Sequence, residues 1–213
     1  MTDLTPHQAA ILGVVLAGGQ SRRMGGADKA LVELAAKPLI AHVVARLAPQ
    51  VGQLAINTNG DKDRFGMLGL PVFADTIGGH AGPLAGVLAA MRFAAKLDRH
   101  FTHVATAATD TPFFPEDLVA YLAAAATTPD TIAMATSGGN RHPVFALWPT
   151  ALADDLERWL AETDTLKVMA WVKRHRFAPV GFASAPDGAD PFFNINTPED
   201  LAAAERTAEG TLV

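Results

Sequence analysis

The sequence predicts an α/β fold: a doubly wound, mostly parallel sheet with helices on both faces, built as a single domain. Two observations carry that expectation. Short apolar runs recur along the 213 residues with longer helical stretches between them, the alternation that gives parallel strands joined by helical crossovers. The runs are also nearly all apolar, with little polar alternation, as strands covered on both faces must be. Sheets of this kind bind ligands beyond the carboxyl ends of their strands.

Taken in order, strands are predicted at 11–16, 54–57, 72–74, 103–107, 132–135, 144–147 and 179–182. Helices are predicted at 38–48, 83–95, 115–126, 150–160, 165–175 and 198–208. Pro38, Pro83, Pro115 and Pro198 each stand where a first helical turn begins, a position that does not need the missing N–H. Thr197, with Asp200 three residues on, reads as an N-cap with an acid near the positive helix end. Residues 123–126, all alanine, read as helix filler chosen for propensity, and the chain after Arg206 reads as frayed. No stretch has linker composition and no internal repeat is present. One domain over residues 1–213 is therefore expected, with residues about 10–115 handling one ligand and about 130–205 another.

Composition excludes several function classes. Hydrophobic residues make up 49% and charged residues 18%, which argues against a disordered chain. A net charge of −5 leaves no surplus of cations to displace phosphate counterions, so nucleic-acid binding is not expected. With no cysteine, disulfides, thiolate metal sites, Cys nucleophiles and Fe–S clusters are removed together. The start MTDLTPHQAA has no basic n-region, and charges such as Arg92 break the apolar stretches. A soluble, cytoplasmic protein with no membrane association is expected.

The most informative stretch is LAGGQSRRMGGADK, residues 16–29, directly after the first predicted strand. Glycines let a backbone approach a ligand closely and turn successive N–H groups toward one anion. Four glycines with Arg22, Arg23 and Lys29 in fourteen residues of an acidic chain point to a polyphosphate. No Gly-Lys-Ser/Thr follows at P-loop spacing, and Gly18-Gly19 does not fit the dinucleotide fingerprint Gly-x-Gly-x-x-Gly. Asp110 closes the apolar run 103–107 and precedes Thr111-Pro112. A carboxylate there faces the ligand crevice and suits Mg²⁺, which takes few protein carboxylates plus phosphate oxygens and water. An Asx-turn ahead of Pro115 is the structural alternative for Asp110.

The pattern Leu-Ala-Gly-Gly-x-Ser-x-Arg-Met-Gly-x-x-Lys resembles the signature of nucleotidyltransferases, and its fuller form here resembles the molybdenum cofactor guanylyltransferases. The likeness continues through Lys37-Pro38-Leu39, Asn57-Thr58-Asn59, Asp75, residues 82–86 (GPLAG), Asp110-Thr111-Pro112, His142-Pro143 and residues 194–198 (NINTP). It implies a Rossmann-like nucleotidyltransferase that moves GMP from GTP onto the terminal phosphate of molybdopterin, with Mg²⁺ on Asp110. By the same resemblance Arg23, Lys29 and Asp110 serve catalysis. Leu16, Ala17, Gly18, Gly19, Lys29, Asn57, Asp75, Gly82, Leu84 and Asp110 bind the nucleotide, and His142, Lys167, Asn194 and Asn196 face the acceptor.

Lys167 departs from the pattern, standing where relatives carry Arg. It keeps the charge and loses the bidentate fork that suits phosphate. From spacing alone, Gly82-Pro83 reads as a turn opening a helix and only the resemblance makes it a base site, while Asn194 to Asn196 reads equally as an ordinary cap. Transient contact with molybdoenzymes or a molybdenum insertase is a further implication of the resemblance. Two alternatives stay open: a cytidylyltransferase acting on molybdopterin or on a sugar or alcohol phosphate, and a non-catalytic nucleotide-binding assembly module. The basic run 173–176 (KRHR) reads as a solvated helix end, and Trp148, Trp159 and Trp171 read as packing residues.

Overall fold

The computed structural model describes residues 4–18, 29–78, 82–185 and 188–210. The chain enters through one helical turn, α1 (Pro6–Ala9), closed by a reciprocal cap between Thr5 and Gln8, and runs into β1 (Ile11–Leu16). A small hairpin, β2 (Glu33–Leu34) and β3 (Lys37–Pro38), leads to α2 (Leu39–Leu47) and β4 (Gln53–Asn57). Then follow β5 (Val72–Phe73), α3 (Pro83–Ala94), β6 (His103–Ala108) and α4 (Leu118–Ala125). The second half consists of β7 (Ile132–Ser137), β8 (Asn140–Pro149), α5 (Ala153–Glu162), α6 (Val168–Val172), β9 (Phe177–Gly181) and α7 (Pro198–Gly210).

The main sheet has seven strands in the order β5-β4-β1-β6-β8-β7-β9. Every neighbouring pair is parallel except those made by β8, which runs antiparallel to β6 and β7. Strand order reverses between β1 and β6: the chain builds outward to β4 and β5, then returns to the far side of β1. That switch point is where an open α/β sheet forms a ligand crevice.

Both sheet faces are covered, which is why the strands are apolar throughout. On β1, Ile11 and Val15 pack with α2 and α4 residues such as Val43 and Leu122. Leu12 and Val14 point the other way, packing with Leu88 of α3, Trp159 of α5 and Trp171 of α6. The three tryptophans are buried there as expected; Trp148 Nε1 donates to Thr106 Oγ1 at 2.9 Å and Trp171 Nε1 to Asp155 Oδ2 at 2.9 Å. A third cluster of Leu34, Leu39, Ile195 and Ala204 ties the β2–β3 hairpin to α7.

Several boundaries differ from the sequence expectation for identifiable reasons. Pro38 is the N-cap of α2, not its first residue. Pro115 lies in a turn before α4, because the buried Gln50 side chain caps that helix from another element. Gln50 Oε1 accepts from Val119 N at 2.9 Å, while its amide donates to the carbonyls of Arg46 and Pro115. The helix expected at 150–160 opens as a 3₁₀ turn, Thr150–Leu152. The one expected at 165–175 shrinks to α6, since the Thr163 and Thr165 hydroxyls take the N–H groups of Thr165 and Lys167.

At the other end α7 runs on to Gly210 instead of fraying after Arg206. The β2–β3 hairpin carries no Gly or Asn signal: its turn residues Ala35 and Ala36 have φ of 47° and 60°, a conformation that costs a residue with a Cβ energy. The basic run lies just beyond α6, where Arg176 meets Asp130 at 3.3 Å and His175 meets Asp155 at 3.1 Å.

Candidate active site

The turn leaving β1 and the turn leaving β6 face each other across a cleft of about 330 Å³ at the switch point. Leu16, Ala17, Gly18, Lys29 and Ala30 supply one side, Ala108, Thr109 and Asp110 another, and Asn57, Asp75, Gly82, Pro83 and Gly86 a third. Gly19 and Arg23 lie outside the described residues. Of the remaining nucleotide residues expected from sequence, all but Leu84 line this hollow. Leu84 is a correction: its side chain is fully buried in the core beneath α3, and Pro83 and Gly86 supply that stretch of wall.

Lys29 and Asp110 form the centre of the site. The ammonium donates to Asp110 Oδ2 at 2.7 Å and to Asn196 Oδ1 at 2.6 Å. It thereby joins three segments that are 81 and 167 residues apart in sequence. Both members of the ion pair are mostly shielded, with 18% and 24% of their side-chain surface exposed, so the pair is screened less than a surface salt bridge. Thr111 Oγ1 donates to Asp110 Oδ1 at 3.2 Å and lies 2.5 Å from Asn194 Oδ1, while Ile195 N donates to the Asp110 carbonyl at 2.8 Å. The segment before α7 is thus sewn to the end of β6.

That segment is held by its own cap. Asp200 Oδ2 accepts from Asn196 N and Thr197 N, each at 2.9 Å, and Thr197 Oγ1 accepts from Asp200 N at 3.1 Å. This is the reciprocal arrangement of a capping box, with Asp in the place of Glu. The N–H donors, that of Asn196 first, hold the Asp200 carboxyl below the usual carboxylate range. The Thr197 cap expected from sequence is therefore present, and it also presents Asn196 to Lys29.

A second polar group forms the wall between β4 and β5. Asn57 Nδ2 donates to Asp75 Oδ1 at 3.0 Å and Asn59 Nδ2 to Asp75 Oδ2 at 2.7 Å; the Asp75 N–H donates back to Asn59 Oδ1 at 2.9 Å. Gly86 makes room for this group: a Cβ there would come within 2.8 Å of Asn57 Oδ1. Gly82, the residue before α3, has φ of +64°, and a Cβ on it would lie 3.5 Å from the Leu166 carbonyl. Arg64, absent from the sequence expectation, donates to Thr58 Oγ1 at 2.8 Å and to the Ala17 carbonyl at 3.4 Å, bracing the exit of β1.

None of the four expected acceptor residues lines the cleft: Asn196 reaches it through Lys29 and Asn194 through Thr111, while His142 and Lys167 stand further apart. Ser137 Oγ donates to Asp190 Oδ1 at 2.7 Å and lies 2.7 Å from His142 Nε2, whose ring stacks on Phe192 at 4.3 Å. A carboxylate only accepts, so the Ser137 proton goes to Asp190 and His142 Nε2 carries the hydrogen. Burial lowers the His142 pKa against the opposing pull of Asp190. His142 thus anchors the 190–196 segment to the β7–β8 hairpin. Lys167 is exposed at the start of α6, next to the Leu166 that abuts Gly82. Asn59 and Thr111 stood in the resembling motifs without an assigned role, and Ser137 and Asp190 were not singled out from sequence. For Asn59 the available signal was its place in the Asn57-Thr58-Asn59 motif, just beyond the end of β4.

Residues 13–178 match the family model described as MobA-like NTP transferase domain. The chain is 50% identical over 198 residues to a Mesorhizobium japonicum protein named molybdenum cofactor guanylyltransferase, covering 92% of this chain and 95% of that one. Among solved structures, the molybdopterin-guanine dinucleotide biosynthesis protein A of Archaeoglobus fulgidus superposes with a TM-score of 0.71 at 24% identity, over 93% of this chain and 99% of that one. A Mycobacterium tuberculosis protein solved in complex with manganese superposes with a TM-score of 0.64 at 13% identity, over 92% of this chain and 98% of that one.

Proposed function

The chain belongs to the MobA-like NTP transferase family, and from that premise we propose that it is a molybdenum cofactor guanylyltransferase, as its relative is named. It transfers GMP from GTP to the terminal phosphate of molybdopterin, forming the guanine dinucleotide cofactor and releasing pyrophosphate. The observation that carries the reading is the Lys29 ammonium held between Asp110 and Asn196 in a cleft that Gly18, Asn57 and Asp75 also line.

The attacking group is a phosphate monoester, already anionic near neutral pH, so no strong general base is needed. Its oxygen attacks the α-phosphorus in line while pyrophosphate leaves. The obstacle is the approach of two anions. Lys29 and Arg23, with the backbone N–H groups of Gly18 and Gly19, supply positive charge where the phosphates' negative charge develops. Asn57, Asp75 and Gly82 take the base, with Pro83 and Gly86 completing that wall. Asn194 and Asn196 receive the acceptor, His142 keeps their segment in place and Lys167 adds charge at the rim beside Gly82. On this division residues about 10–115 bind nucleotide and about 130–205 bind the acceptor.

Asp110 is the residue to hold a divalent ion, Mg²⁺ by resemblance. Among the described residues no cluster of three or more His, Asp or Glu side chains gathers. A single carboxylate completed by phosphate oxygens and water is the donor set Mg²⁺ favours. When bound, the ion neutralises charge on the phosphates. Also among the described residues, no helix is long and apolar enough to cross a membrane. A cytoplasmic location fits the use of GTP, and delivery of the product to molybdoenzymes or exchange with an insertase would be transient.

The test is transfer by purified protein given molybdopterin, Mg²⁺ and GTP, CTP or ATP in turn, followed by pyrophosphate release and mass spectrometry of the product. GTP is the expected donor. A preference for CTP would overturn the guanine assignment. Pyrophosphate released without molybdopterin, or no release at all, would overturn transfer.

A further inference from the structure

We infer that Asn59 is a positioning residue for purine choice: it clasps the Asp75 carboxylate at the angle from which Asp75 reads the guanine edge. The inference rests on the proposed role of Asp75 in base recognition and goes beyond it by naming what orients the carboxylate.

Asn57 ends β4 and Asn59 stands two residues on, in the bend beyond the strand, where both side chains reach the same carboxylate. β5 runs parallel beside β4, with Thr58 N donating to the Phe73 carbonyl at 2.9 Å, which sets Asp75 beside both amides. A carboxylate only accepts, so both amide nitrogens must face it and neither carboxamide is free to flip. Asn59 then grips Asp75 at two points, through Oδ2 at 2.7 Å and through its backbone N–H at 2.9 Å. Asn57 holds the other oxygen at 3.0 Å, in the space that the absent Cβ of Gly86 leaves it.

Each carboxylate oxygen takes one donor from this clasp and keeps acceptor capacity in the cleft that Asp75 lines. Two acceptors side by side match the N1–H and 2-amino donors of guanine. Adenine and cytosine present no such adjacent pair of donors. Asn59 is exposed, so its replacement leaves the core untouched.

The experiment compares GTP with ITP, which lacks the 2-amino group, by calorimetric binding in Mg²⁺ and by KM and kcat, in the wild-type protein, Asn59→Ala, Asn59→Asp and Asp75→Asn. The wild type is expected to prefer GTP by about tenfold or more, the range of one unpaired buried donor or acceptor. Asp75→Asn abolishes that preference. Asn59→Ala raises the GTP KM by about three- to tenfold, with kcat much less affected, and lowers the GTP/ITP ratio toward that of Asp75→Asn. Asn59→Asp, which keeps the volume but sets a second carboxylate against Asp75, falls at least as far. If both Asn59 variants keep the wild-type ratio while Asp75→Asn loses it, the positioning role is overturned and the base reading stands. If the wild type does not distinguish the two nucleotides, both fall together.

Discussion

Gly86→Ala sets two large and opposite effects against each other. In the interior of α3 an alanine is worth about 1 kcal/mol over glycine by helix propensity alone. The added Cβ would lie 2.8 Å from Asn57 Oδ1 and 3.1 Å from Leu16 Cδ2. The leucine methyl can rotate. Asn57 is only 4% exposed and its amide is committed to Asp75, so it moves only by giving up that bond. Overpacking costs about 1–3 kcal/mol, and a buried polar group left without a partner costs a similar amount. The expected balance is a loss of about 1–5 kcal/mol, or roughly 2–20 °C in Tm for a chain of this length. Displacement of Asn57 also disturbs Asp75, so the GTP KM should rise by about tenfold. Thermal melting and GTP titration of the purified variant measure both. A higher Tm with an unchanged KM would show that α3 and β4 have slack at this contact, and the account of the cleft wall would be wrong.

Lys29→Ala and Asp110→Ala should each reduce kcat/KM by about a hundredfold or more while far-UV circular dichroism stays native; transfer near the wild-type rate by both would remove the electrostatic mechanism. Gln50→Ala should cost about 2 kcal/mol in urea unfolding, because it strips α4 of the cap on Val119 N; an unchanged midpoint would mean that water replaces the amide. Stability should also fall with acid through His103, whose pKa burial first, and then the charge of His7, lower from 6.5 to about 4. Above pH 6.5 the ring is neutral in both states. Between there and about pH 4 only the unfolded chain takes up the proton, so stability drops by up to about 1.4 kcal/mol per pH unit. Asp130 and Asp155, lowered from 3.8, add their losses only below that window. Urea midpoints across pH 4–7 should fall less steeply in His103→Asn, with His142, also lowered by burial, carrying what remains; an equally steep profile in that variant would assign the acid sensitivity elsewhere.

What the sequence determined was local. The apolar runs around Ile11 to Leu16 and His103 to Ala108 are long enough, and unbroken enough, to demand burial on both faces. The run from Leu16 to Lys29 carries its chemistry within fourteen residues, and Thr197 with Asp200 fits inside one helical turn. Each of these depends on neighbours a few bonds away, so spacing alone exposes it. The antiparallel insertion of β8 was not anticipated, although Gly138 and Gly139, with φ of 53° and 82°, form the two-residue turn that produces it. Only the tertiary structure decided that Lys29 would meet Asp110 and Asn196, and that Asn59 would join Asn57 on one carboxylate. Those meetings depend on β1 lying beside β6 and β4 beside β5. Strand adjacency is set by the packing of the whole sheet, and no short window of sequence contains it.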